Sequence, residues 1–210
     1  MSWVRNFMSR QYAKPTGLFG RLITAPLLNR SNKLANQLVF DTVAEGDPGR
    51  IAEIGFGGGE LLLRLAGTYP NKEIHGVEIS SEMLIDMRIR SARLGINNLT
   101  LGRGGVDNLP FGSGSFDCVC TVNTVYFWSD LDAGLRELHR VLLPGGRAII
   151  GMGSASHLRD RGFHERGFTL YSPDELHAAM QANGFNTDPL RQVERAERGP
   201  FYACVGIRAA

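Results

Sequence analysis

From residue 50 onward, short apolar runs alternate with longer stretches in which apolar side chains recur every three to four positions. That alternation is the pattern of repeated βα units feeding a parallel sheet. Arg50–Ile54 reads as a first strand, Glu73–Glu78 as a second, 99–102 as a short third, Phe116–Val122 as a fourth and 147–152 as a fifth. The fourth is apolar at nearly every position, as expected of a strand covered on both faces. Leu61, Leu62, Leu65 and Ala66 keep helical spacing after the first strand, and Met83, Leu84, Met87 and Leu94 do so after a capping Ser80 or Ser81. A helix over 131–143 should stop at Pro144-Gly145-Gly146. Ser172-Pro173-Asp174-Glu175 starts a last helix, with proline in the first turn and acids at the positive end of the dipole. Gly184 ends it, and strands over 185–193 and 201–208 close the sheet as a hairpin.

Length and composition bound this picture. A chain of 210 residues suits one α/β domain with a substantial core. Hydrophobic residues at 43% and charged residues at 21% are ordinary globular values. A net charge of +2 gives no ground for nucleic acid as a partner. The charge is unevenly spread, because residues 1–40 hold Arg5, Arg10, Lys14, Arg21, Arg30 and Lys33 and no acid. This region is expected to be an N-terminal helical arm or lid, with 41–210 as the domain proper. Trp3, Phe7, Leu18, Phe19, Leu22, Ile23, Leu27 and Leu28 lie among its cations, so contact with a membrane surface is an alternative, and a targeting peptide is another. Pro15, Gly17, Gly20 and Pro26 interrupt any long amphipathic helix there. The absence of an 18-residue apolar run or a secretory pattern points to a cytoplasmic protein without stable membrane insertion. Cys118 and Cys120 share a strand face and have no partner ligands at zinc spacing, so they read as apolar filler and no metal is expected.

The chemistry concentrates in Glu53-Ile54-Gly55-Phe56-Gly57-Gly58-Gly59-Glu60, at the carboxyl end of the first strand. Ligands of open α/β sheets bind at that end, and glycine lets the backbone approach them closely. A dinucleotide loop wants G-x-G-x-x-G so that pyrophosphate meets a helix N-terminus, but the third glycine position here is Glu60. Glu53 would also repel phosphate. A ligand with a cation at this place, such as the ammonium of a methionine tail, fits better. Glu78 ends the second strand, where an acid suits ribose hydroxyls. The plainer alternative is that both acids are solvated strand ends.

Residues 53–59, Gly76-Val77-Glu78, Leu109-Pro110-Phe111 with Ser115-Phe116-Asp117, and Arg140-Val141-Leu142-Leu143-Pro144-Gly145-Gly146 together resemble the ordered motifs of the class I, Rossmann-like S-adenosylmethionine-dependent methyltransferases. The match is most similar to the small-molecule branch that includes the ubiquinone and menaquinone methylases. The resemblance implies a seven-stranded, mostly parallel sheet in the order 3-2-1-4-5-7-6, last strand antiparallel, with helices on both faces. It implies S-adenosylmethionine as cofactor and S-adenosylhomocysteine as product. By position, Gly55, Phe56, Gly57 and Gly59 would line the methionine part, Glu53 would orient it, Glu78 would take the ribose and Ile79 would face the adenine. The family usually has an acid where this chain has Gly105, which leaves Val106 and Asp107 to meet the adenine amino group.

Asn123 follows the fourth strand at the edge that faces the sulfonium in family members, and Tyr126, Phe127 and Trp128 come next as an expected pocket wall. Aromatic faces suit a sulfonium. Methyl transfer needs positioning first and a base only if the acceptor must lose a proton. His157 and Tyr126 are the candidate catalytic residues, and His164 joins Tyr126, Phe127, Trp128 and His157 on the substrate side; His139 reads as structural. The segment 154–168 reads as a substrate-recognition loop. The expected function is methyl transfer to a small hydrophobic metabolite by a monomer or homodimer. The alternatives are a methyltransferase fold recruited to a reaction such as cyclisation, and a nucleic-acid or protein methylase. The second is disfavoured because Thr121-Val122-Asn123-Thr124 stands where base amino-methylases carry Asn/Asp-Pro-Pro-aromatic.

Overall fold

The computed structural model describes residues 32–195 and 199–209. Its first helix, α1 (Lys33–Ala44), buries Ala35, Val39, Phe40 and Val43, a spacing that lays one apolar stripe across the sheet. Then follow β1 (Arg50–Ile54), α2 (Glu60–Thr68), β2 (Glu73–Glu78), α3 (Ser81–Arg93), β3 (Leu99–Arg103), β4 (Phe116–Val122) and α4 (Leu131–Val141). The chain continues with β5 (Leu142–Gly153), α5 (Ala155–Asp160), α6 (Pro173–Ala182), β6 (Phe185–Thr187), β7 (Arg191–Val193) and β8 (Phe201–Arg208). Caps are where the sequence puts them. Ser80 accepts from the Met83 amide, and Ser172 with Glu175 closes a reciprocal capping box on α6.

The sheet runs β3-β2-β1-β4-β5-β8-β6, with β7 also paired to β8. Neighbours from β3 through β5 are parallel, and β8 is antiparallel to β5, β6 and β7. The expected Rossmann-like order is therefore present, with one strand more than the expected seven. The single strand expected over 185–193 is two, β6 and β7. The Asp188 amide still donates to the Val205 carbonyl at 3.0 Å, but Pro189 has no N–H to continue the ladder. The Pro144-Gly145-Gly146 turn also differs from expectation. α4 ends at Val141, two residues early, and the turn lies inside a longer β5 as an irregularity whose register jumps from Phe116↔Leu142 to Cys118↔Arg147. Gly145, at φ 77°, makes that jump without a Cβ penalty. The segment 154–168, read as a loop, carries α5 and a 3-10 turn at His164–Arg166.

Two apolar layers sandwich the sheet. One gathers α1, α2 and α3 side chains with Ile51, Ile74 and Cys120; the other gathers α4 and α6 with Ala52, Val119 and Ile150. Cys118, Cys120 and Cys204 are free and buried in these layers. α1 runs unbroken through residue 40, so the last residues of the expected arm are part of the packed domain. The arm's residues before position 32 lie outside the described residues. Among the described residues, no helix is long and apolar enough to cross a membrane.

Candidate active site

Strand order reverses between β1 and β4, and the loops after β1, β2, β4 and β5 converge on the crevice this opens. Glu53 is the next-to-last residue of β1. Its carboxylate is 3% exposed, and Oε2 is buried with no hydrogen-bond partner among the described residues. Burial, and after it the negative charge of Glu78, holds the Glu53 carboxyl well above the usual carboxylate range. A buried charge without a partner is costly, and the raised carboxyl is how the ligand-free protein avoids one.

The loop beside it is shaped by left-handed glycines. Gly57 has φ 50°, and a Cβ there would meet nothing within 4 Å, so this stretch of backbone faces open space. Gly59 has φ 68° for a different reason, since a Cβ there would stand 1.7 Å from Met87 Cε. The Glu78 carboxylate, 5% exposed, fixes the loop by accepting from the Gly57 amide at 3.0 Å. Its other oxygen accepts from the Ile79 and Ser80 amides at 2.8 and 2.9 Å. Oε2 keeps a lone-pair site beyond the Gly57 contact. Ile79 is 45% exposed beside it, a large apolar surface left uncovered at the crevice. Phe56, in contrast, is core.

The departure at Gly105 has a spatial counterpart. A Cβ at Gly105 would lie 2.6 Å from Asp107 Oδ1, so the Asp107 carboxylate fills the room that a side chain at 105 would take. Val106 between them is half-buried against the second apolar layer.

On the opposite side Asn123 sits at φ 58°, a conformation asparagine tolerates better than most residues, and its backbone N–H donates to the Gly151 carbonyl at 2.8 Å. The three aromatics divide. Tyr126 and Trp128 are core residues at 3% and 7% exposure, which corrects the expectation that all three form a pocket wall. The 3-10 turn covers Val125–Phe127 and Trp128 follows it in extended backbone, which leaves Tyr126 and Trp128 inside and Phe127 half-buried between them. Tyr126 Oη takes the Gly153 amide and donates to Asn123 Oδ1, and burial pushes the phenol up, away from the range of a base. Phe127 stays half-buried and meets Phe168 at 4.6 Å between ring centroids, and Phe163 meets Phe168 at 4.9 Å. These two phenylalanines were not singled out in the sequence; only their place in the segment after β5 pointed to them. His157 lies on α5 with Nε2 buried and without a hydrogen-bond partner among the described residues, its ring against Gly199, while His164 is exposed. No group of three metal-ligating side chains occurs among the described residues.

A parallel sheet with this switch point, a left-handed glycine loop and acids ending β1 and β2 is the architecture of the class I, Rossmann-like methyltransferases. The methyltransferase-domain family matches residues 51–146, less than half of the chain. The uncharacterized methyltransferase YdaC of Bacillus subtilis is 26% identical over 62% of this chain and 71% of its own. A malonyl-acyl-carrier-protein O-methyltransferase of Geobacter sulfurreducens is 30% identical over 75% of this chain and 63% of its own. A demethylmenaquinone methyltransferase of Thermus thermophilus is 33% identical over 52% and 50% respectively, so the chain spans only part of the relatives it matches. The YcgJ protein of Bacillus subtilis superposes with a TM-score of 0.71 over 85% of this chain and 99% of its own, at 17% identity. The cyclase SpnF does so with 0.68, over 85% and 82%, at 16% identity.

Proposed function

We propose that this protein transfers a methyl group from S-adenosylmethionine to a small, apolar metabolite. The observation that carries the reading is the buried, unpartnered Glu53 carboxylate beside the open backbone of Gly57. That pair fits an ammonium-bearing amino-acid tail and repels a pyrophosphate. In this reading Glu53 takes the ammonium, the 55–59 loop lies along the methionine part, and Glu78 Oε2 accepts from the ribose. Ile79 and Val106 flank the adenine, and Asp107 supplies the carboxylate that Gly105 lacks.

S-adenosylmethionine brings an activated methyl whose leaving group is neutral, so the protein's task is in-line positioning and exclusion of water. Asn123, held at its strained backbone angle by Gly151 and Tyr126, forms the rim of that site. Phe127, Phe163 and Phe168 offer an apolar face to the acceptor, which favours a quinol, phenol or acyl chain over a charged metabolite. Trp128, though core, backs this face. His157 on α5 is the candidate to take a proton from an acidic acceptor, with the exposed His164 beyond it.

The arm belongs to the same proposal. Asn36 near the start of α1 donates to Glu60, which places the start of α1 beside the end of the glycine loop. In this reading the arm of residues 1–40, most of which lies outside the described residues, serves as a lid over the acceptor in a cytoplasmic monomer or homodimer, with contact to a membrane surface as the alternative use of its cations. Removing residues 1–30 is expected to lower acceptor turnover far more than S-adenosylhomocysteine affinity; equal loss of both would mean that the arm only supports the fold.

The direct test is transfer of a labelled methyl from S-adenosylmethionine to a panel of quinols, phenols and acyl thioesters, with S-adenosylhomocysteine measured alongside. Acceptor-dependent product in both channels supports the reading. Acceptor turnover without S-adenosylhomocysteine would support recruitment of the fold to another reaction.

A further inference from the structure

β1 and β4 stop pairing at Glu53 and Cys120, and beyond that pair the two chains part to open the crevice. One residue further on, side chains replace the backbone ladder. The Thr121 hydroxyl, 1% exposed, donates to the Ile54 carbonyl at 2.7 Å. Thr124 Oγ1 is hydrogen-bonded to Thr121 Oγ1, and Trp128 Nε1 donates to Thr124 Oγ1 at 3.2 Å. An indole N–H only donates and a carbonyl only accepts, so the direction is fixed from both ends: Trp128 to Thr124, Thr124 to Thr121, Thr121 to Ile54. Both ends are also braced by packing. A Cβ at Gly134 of α4 would stand 2.7 Å from the Trp128 ring, and a Cβ at Gly55 would stand 2.6 Å from the Thr124 methyl.

We propose that Thr121, Thr124 and Trp128 are positioning residues. Their chain sets the width of the crevice mouth and passes the state of the glycine loop to the aromatic turn on the acceptor side. Ile54 carries the carbonyl at the root of the 55–59 loop, and Trp128 closes the turn that presents Phe127. A shift of the loop on filling therefore pulls on the indole. This inference rests on the reading of that loop as the cofactor loop.

The chain holds two tryptophans, so Trp3→Phe leaves Trp128 as the one indole reporter. In that protein, adding S-adenosylhomocysteine is expected to move the Trp128 indole N–H resonance in step with calorimetric binding. Thr124→Val should abolish most of that movement and weaken S-adenosylhomocysteine about tenfold, the scale of one buried hydrogen bond. Thr124→Ser, which keeps the hydroxyl, should restore both. Thr121→Val tests the same link should Thr124→Val not fold, and the double valine variant should be no weaker than either single one, because the three groups act as one unit. An indole resonance that stays put while S-adenosylhomocysteine binds, or that moves equally in Thr124→Val, overturns this inference alone. Failure of S-adenosylhomocysteine to bind the wild-type protein overturns the cofactor reading with it.

Discussion

The two sides of the crevice solve opposite problems. The proposed donor side, the loops after β1 and β2, leaves a carboxylate buried with no hydrogen-bond partner among the described residues and a stretch of bare backbone facing space. The acceptor side, 121–128 with the segment after β5, spends its polar groups on one another. Asn123, Tyr126 and Gly153 form one network, and Thr121, Thr124 and Trp128 form another. What remains for a ligand there is chiefly aromatic carbon. A site that keeps an unmatched charge specifies its ligand by that charge, whereas a site that satisfies itself specifies by shape and apolar area. In the proposed function, this is why a handful of residues argues for one cofactor and the acceptor is named only as a class.

Substitution at Glu53 should separate the two sides most sharply. Glu53→Gln removes the charge and keeps the shape, and is expected to weaken S-adenosylhomocysteine by about 100-fold or more, the usual scale for one partner of a buried charge pair. Calorimetry checks it. The same variant should raise the melting temperature of the ligand-free protein at neutral pH, by roughly 2–4 °C for each kcal/mol of burial cost relieved. The sign follows from the raised carboxyl. The folded state binds that proton more tightly than the unfolded chain, so this group's contribution is favourable below the ordinary carboxylate range and is lost as pH rises towards its raised folded value. The advantage of Glu53→Gln should therefore shrink on acidification, which thermal melts at several pH values will show.

Next in size are the glycines. Gly57→Ala is expected to weaken S-adenosylhomocysteine by about tenfold or more, since its Cβ enters the open face and φ 50° strains any other residue. Gly59→Ala should act mainly on stability, because its Cβ meets Met87 rather than the ligand side. Melts and calorimetry on the two variants would blur the comparison if both lost binding equally.

On the acceptor side, Phe127→Ala or Phe168→Ala should lower turnover about tenfold while moving S-adenosylhomocysteine affinity less than threefold, as expected where aromatic contacts position a partner. The smallest effect is expected at Asp107. Asp107→Ala should cost S-adenosylhomocysteine a few-fold, the scale of one partly exposed hydrogen bond.

Legibility in the sequence follows the same division. Strands β1, β2 and β4 fall where apolar periodicity puts them because each is flanked by clear breakers. The end of α4 and the start of β5 were misplaced because Pro144-Gly145-Gly146 reads as a turn, while the ladder to Phe116 already begins at Leu142. Part of the recognisable motif turns out to be mutual support: Glu137 accepts from the Leu109 amide, and Arg140 donates to the Phe111 carbonyl, so one motif clamps the other. The inward turn of Tyr126 and Trp128 was not legible, since it depends on a 3-10 twist and on the space left by Gly134 and Gly153 from other elements. The threonine chain was hidden for the same reason, its acceptor lying 67 positions away.

The most direct test is calorimetric titration of S-adenosylhomocysteine into the wild-type protein and Glu53→Gln, each in two buffers of different ionisation enthalpy. The account predicts tight binding to the wild type, accompanied at mildly acidic pH by release of a proton as an ammonium displaces it from Glu53, and loss of both in Glu53→Gln. Wild-type protein that ignores S-adenosylhomocysteine while binding NAD or ATP, or a Glu53→Gln variant that binds as well as the parent, would contradict it.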